Sequence, residues 1–215
     1  MAKVLIGCET SGIVRDAFLA AGHDAWSCDI LPSDNPSNRH IQDDVRNVIA
    51  FERWDMLMVA HPPCTRLCNS GVRWLHKAPP GRTLDDMWRE LDQGAELFSE
   101  CWNADIPFVA IENPVMHKYA KERIRNYEEF AQSIQPWQFG NDEAGGDNVK
   151  KRTCLWLRGL PPLQPTGSLD GTTARDEIHK APPGKDRWKI RSRFFEGIAD
   201  AMANQWTAAM AGGAA

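Results

Sequence analysis

The sequence predicts an α/β fold: a mainly parallel sheet with helices on both faces. Two observations carry this. Short apolar runs alternate with helical patterns, which implies βαβ units. Each apolar run also ends on a cluster of reactive residue types, at the sheet end where such folds bind ligands. The 215 residues suffice for one domain with a full core.

Lys3–Gly7 (KVLIG) is the first predicted strand. Val14, Ala17, Phe18 and Ala21 recur at helical spacing, and Gly22 ends that helix. Residues 25–29 (AWSCD) form a second strand ending in an acid, followed by a turn-rich loop over 32–38. Residues 56–60 (MLMVA) are continuously apolar and stop at Pro62-Pro63. Trp88, Leu91, Ala95, Phe98 and Trp102 make a helical stripe. Residues 108–111 (FVAI) read as a strand, 119–133 as polar and helix-compatible, and 153–157 (TCLWL) as a strand. The last helix spans 194–206, with Phe195, Ile198, Ala199, Met202 and Trp206 on one face.

Composition narrows the function classes. The chain is 42% hydrophobic and 25% charged, an ordinary globular balance. No apolar run suggests a signal peptide or a membrane span. Six cysteines without paired spacings fit a reducing cytoplasm. The net charge of −4 argues against coating nucleic acid by bulk electrostatics, though a local basic face is allowed.

After the first strand comes Gly7-Cys8-Glu9-Thr10-Ser11-Gly12; after the second, Asp29; after MLMVA, His61-Pro62-Pro63-Cys64; after FVAI, Glu112-Asn113-Pro114. In this order the segments resemble the cytosine C5-methyltransferase family. Residues 4–18, 55–64 and 108–114 carry the resemblance, with 148–157 and 191–206 resembling a later basic segment and the closing helix.

The resemblance implies a Rossmann-like fold and S-adenosylmethionine as cofactor. It implies cofactor contacts at Gly7, Cys8, Glu9, Thr10, Ser11 and Gly12, with Asp29 at the ribose, Asp44 at the adenine, and further contacts at Ile30, Val45, His61 and Pro62. It implies Cys64 as nucleophile, with Pro63 beside the substrate. Glu112 reads the cytosine edge at N3, and Asn113 holds the loop. For the basic segment, one register puts Asn148, Lys150 and Arg152 on the supporting positions; a one-residue slip favours Lys151.

The chemistry fits these residue types. C5 of cytosine is a poor nucleophile until a thiolate adds to C6, and a carboxyl near N3 neutralises the electron density this creates. Cys8, Cys28, Cys101 and Cys154 lie in apolar or strand-like segments and read as small core hydrophobes. Cys64, Cys68 and His61 lack a second close-spaced ligand pair, so no metal site is expected.

The hexapeptide His-Lys-Ala-Pro-Pro-Gly occurs at 76–81 and again at 179–184. It reads either as two similar Pro-Gly turns or as two loops whose Lys77, Arg82, Lys180 and Lys185 meet substrate phosphate. Arg187 belongs to a basic run over 185–193 around Trp188, which suits phosphate contact and stacking.

In the family a recognition domain separates the basic segment from the closing helix. Here residues 158–190 form only a short irregular insert, so a single catalytic domain over 1–215 is expected. Substrates compatible with this are cytosine in DNA, with low specificity or a partner protein, a free cytosine nucleotide, or cytosine in RNA. A silent binding module is the alternative from another class.

Overall fold

The computed structural model describes residues 1–178, 180, 182, 184 and 187–212, with backbone alone for 188–190 and 212. Its centre is β1 (Lys3–Gly7) beside β4 (Met56–Val59), two nearly all-buried runs. Burial on both faces is what continuous apolar strands demand, and it makes them the interior of a parallel sheet. Outward from β1 lie β2 (Asp24–Asp29) and the three-residue β3 (His40–Gln42). Beyond β4 come β5 (Phe108–Asn113), β7 (Thr153–Arg158) and the edge strand β6 (Gln132–Ile134).

The sheet order is β3-β2-β1-β4-β5-β7-β6. All pairs are parallel except those of β7, which runs antiparallel to β5 and β6. The chain moves outward from β1 to β3 and then returns to β4. The switch point of this Rossmann-like sheet therefore lies between β1 and β4, where Gly7 pairs with Val59.

One face is covered by α1 (Ile13–Ala20) and α6 (Glu196–Gly212), whose Phe18, Ile198, Met202 and Trp206 join the core there. The other face is covered by α2 (Val45–Phe51) and α3 (Leu84–Trp102). The stripe predicted for α3 is buried at Leu91, Ala95, Phe98 and Trp102. A capping box between Thr83 and Asp86 starts that helix.

The helix-compatible reading of 119–133 is corrected. Only one turn forms, α4 (Lys118–Lys121). Asn126 then takes a left-handed φ of 52°, and β6 follows. This stretch packs Ala120 and Ile124 into the core, but its chain turns after Lys121 and does not continue as a helix. Its carbonyls instead serve neighbours: Trp102 donates its indole N–H to Asn126 and Trp156 to Glu128.

A short α5 (Arg187–Ser192) precedes α6. Residues 159–178 run without helix or regular strand, yet Leu160, Leu163, Ala174 and Ile178 are buried in the core. The Gln132 side chain brackets Leu163 through both its backbone groups, and Trp206 donates to the Pro161 carbonyl at 3.0 Å. Among the described residues no helix is long and apolar enough to cross a membrane.

Candidate functional site

The loop after β1 turns through Cys8 (φ 55°) and Gly12 (φ 76°). Gly12 is required: a Cβ there would collide with the Arg15 guanidinium beneath it. Glu9 organises the loop from inside. It is fully buried, and its carboxylate accepts from Val14 N at 2.7 Å, Arg15 N at 3.3 Å and the Ser11 hydroxyl at 3.3 Å. Those amides open α1, so the carboxylate fills the helix N-terminus. Burial pushes its pKa up to about 7 despite these donors.

The buried Arg15 extends the network. It donates to Ser27 at 3.0 Å, and Ser27 shares a 2.9 Å hydrogen bond with His40. His40 in turn lies 3.1 Å from the Leu31 carbonyl. Thr10 donates to Asp34 at 3.1 Å. The loops after β1 and β2 are thus tied into one wall.

On that wall Asp29 ends β2 half-buried and takes the Leu31 amide on one oxygen at 2.9 Å. Burial raises its pKa. Ile30, 71% exposed, follows as an apolar side chain facing solvent. Gly7 packs against Val45 so closely that a Cβ would come within 2.6 Å of it.

Two expected cofactor contacts are corrected here. Glu9 is buried beneath the loop, where helix amides consume its carboxylate, so it is not displayed to a ligand. Asp44 is the N-cap of α2, and both its oxygens are taken by Arg46, which lowers its pKa. A side chain that satisfies backbone donors of its own helix has little left to read an adenine.

Beyond the switch point, the ends of β4 and β5 converge. Pro62 is buried and Pro63 exposed. Cys64 opens a tight turn, its carbonyl accepting from Leu67 N and Cys68 N, each at 3.0 Å. The Cys64 and Cys68 thiols lie side by side, and Cys68 also shares a 3.1 Å hydrogen bond with Ser70. As a pair they ionise once readily and a second time with difficulty. The thiol hydrogen bond and the donors from Ser70 and Gly71 lower the Cys68 pKa. The Cys64 thiol is pushed up by that neighbour, by burial and by Glu112, and drawn down by Lys151.

Glu112 stands at the end of β5, 4% exposed, with Oε1 buried and unpartnered. Burial raises its pKa, against the pull of Lys151. Asn113 is fully buried and donates to the Pro114 carbonyl at 2.8 Å, which holds the turn; its Oδ1 has no partner. His61 places its ring 5.6 Å from Phe194, and its Nε2 is buried and unpartnered. Burial and then Lys151 hold that imidazole neutral.

Lys151 is the cation at the centre. Its ammonium donates to the Arg193 carbonyl at 3.2 Å and sits 5.6 Å over the Phe195 ring. His61, Cys64 and Glu112 all feel its charge. The expectation that Lys150 and Arg152 support the nucleophile is corrected accordingly. Arg152, just before β7, donates to Ser133 at 3.1 Å, while Lys150 is exposed.

The other basic residues scatter. Arg82 is drawn onto α3 by Glu90 and Asp86, so its charge is already met. Glu90 also takes Arg66 at 2.8 Å, pinning both ends of the loop that starts at Cys64. Lys77 is exposed. Lys180 pairs with Asp176 at 3.5 Å, and a cleft of about 660 Å³ lies between Arg175, Ile178, Lys180 and Arg193. Arg187 opens α5 half-buried. Lys185 lies outside the described residues.

Sequence reasoning weighed Cys68 only as a metal ligand and missed its pairing with the Cys64 thiol. Its spacing of four from Cys64 was the available signal, since one helical turn brings such residues together.

No family model and no curated protein matches the chain. Among solved structures, a candidate DNA modification methyltransferase encoded within a prophage (E. coli) is similar at 14% identity and a TM-score of 0.43. The match covers 73% of this chain and 46% of that one.

Proposed function

We propose that this chain is an S-adenosylmethionine-dependent methyltransferase acting on C5 of cytosine in DNA through a covalent Cys64 adduct. One observation carries the reading. The Cys64 thiol and the unpartnered Glu112 carboxyl stand at the strand ends where parallel α/β sheets bind ligands, and both feel the Lys151 charge. The net charge of −4 favours a second reading, a free cytosine nucleotide as substrate. Against a silent module stand the intact Cys64 and Glu112.

The residues present fit the cofactor. The half-buried Asp29 suits a ribose, exposed Ile30 and buried Val45 suit an adenine, and unpartnered His61 Nε2 awaits a polar group. Gly7, Cys8, Thr10, Ser11, Gly12 and Pro62 complete the wall. When bound, the cofactor supplies an electrophilic methyl group.

The chain's own residues then have defined tasks. The Cys64 thiol gives up its proton, which Cys68 is placed to receive, and Lys151 offsets the thiolate charge. Cys64 Sγ forms a bond to C6, and the electron pair of the C5=C6 bond moves toward N3. Glu112, whose pKa burial raises, donates a proton there, leaving C5 nucleophilic. After the methyl group joins C5, the N3 proton returns to Glu112, and loss of the C5 proton to water with departure of Sγ as thiolate restores the C5=C6 bond.

The test is transfer of labelled methyl to duplex DNA, single strands, RNA and cytosine mononucleotides, with product mass measured. Cys64→Ser is expected to abolish transfer. Full activity in that variant overturns the nucleophile. Glu112→Gln is expected to cut turnover at least 100-fold while cofactor binding persists; loss of cofactor binding instead makes Glu112 structural.

A further inference from the structure

The loops after β4 and β5 are joined edge to edge. Cys68 and Met116 form an antiparallel bridge, Asn69 N donates to the Val115 carbonyl, and His117 N donates to the Leu67 carbonyl. The His117 ring adds a 2.6 Å hydrogen bond to the Arg66 carbonyl. Cys64 and Glu112 sit at the roots of this joined unit.

Its surface is cationic and aromatic. Arg73 stacks its guanidinium 4.4 Å over Trp74. The Arg73 carbonyl accepts from the amides of both His76 and Lys77, so these side chains share one turn. His76 touches Tyr119 at 5.8 Å, and Lys118 lies 4.9 Å over that same ring. Arg73, His76, Lys77 and Lys118 are all exposed.

The charge here is unspent. Nearby Arg66 and Arg82 meet Glu90, Lys121 meets Glu129, and Arg123 meets Asp92. Among the described residues, Arg73, Lys77 and Lys118 meet no carboxylate within ion-pair distance. An acidic chain thus keeps a patch of free positive charge on the one unit that roots its thiol and carboxyl.

We propose that this face binds single-stranded DNA, with Arg73, Lys77 and Lys118 on successive phosphates and Trp74 as a stacking surface for an unpaired base. Resting on the methyltransferase reading, it makes the substrate a polynucleotide. A mononucleotide has a phosphate for only one of the three cations. Aromatic faces beside phosphate-binding cations suit unpaired bases, because a base inside a duplex offers no open π-face.

The experiment measures binding of a labelled cytosine-containing single strand by fluorescence anisotropy across a salt series. Arg73→Ala/Lys118→Ala, both exposed positions, is expected to weaken binding at least tenfold and to lower the salt slope by about 1.4, two contacts at about 0.7 each. Arg53→Ala, three residues before the start of β4 and at the opposite end of the sheet, is expected to change neither. Trp74→Ala is expected to weaken binding with the salt slope intact.

An unchanged slope in the double variant, an equal effect of Arg53→Ala, or no binding to single strands overturns the proposal. So does tighter binding of the same sequence as RNA or duplex. Methyl transfer to a cytosine mononucleotide, unchanged in the double variant, would leave the chemistry standing where the face fails. Face-dependent DNA binding without transfer to any substrate would leave the face standing where the chemistry fails.

Discussion

Glu9 shows how one residue replaces several. A glycine-rich loop normally leaves helix amides open to a ligand; here the Glu9 carboxylate occupies those of Val14 and Arg15. Its raised pKa has a signed consequence. Between pH 4.5 and about 7 the folded chain holds a proton on Glu9 that the unfolded chain has released. The stabilising contribution is full below pH 4.5 and fades as pH rises toward 7, by about 3 kcal/mol in all. Glu9→Gln, which does not titrate, is therefore expected to show a flatter stability profile over that range. Parallel denaturant midpoints for the two proteins across the window would refute it. At this scale the sequence exposed which residue types gather at strand ends, including Cys64 and Glu112. It did not show which of Lys150, Lys151 and Arg152 acts on Cys64 and Glu112, because all three lie in irregular chain before β7, where distant partners such as Arg193 set side-chain direction.

At the scale of elements, the Cys64 loop is built by close backbone approach. It is pinned to α3 by Glu90, and Pro63 rests against Gly94 of that helix. Gly71 closes the turn, donating its N–H to the Cys68 carbonyl at 2.9 Å, and a Cβ there would collide with the Thr65 carbonyl oxygen. Gly71→Ala is expected to cost about 1–3 kcal/mol and to depress turnover more than cofactor affinity. Wild-type urea midpoints and turnover in that variant would show the turn has slack. The strong elements were legible because burial on both faces writes itself as continuous apolar runs, as in MLMV of β4. The short ones were not: β3 and β6 have three residues each. Nor did the sequence place α2, which is only seven residues long and is started by the Asp44 cap.

For the whole molecule, the closing helix links the two ends of the chain. Trp206 of α6 is fully buried in the core shared with α1 and fastens the irregular segment through Pro161. Trp206→Ala is expected to cost about 3–5 kcal/mol, read as a lower chemical-denaturation midpoint. A loss under 1 kcal/mol would mean that α6 is only loosely docked. Sequence alone determined the α/β alternation, the central strands and the gathering of reactive residue types at one sheet end. Those follow from periodicity, a local property of the chain. Only the tertiary structure decided that the Lys151 charge acts on the thiol and carboxyl, that Glu9 and Asp44 serve their own helices, and that Cys68 stands against Cys64. It also joined the loops after β4 and β5 into one unit. These outcomes depend on strand register, on burial and on contacts between residues far apart in sequence, which no local pattern encodes.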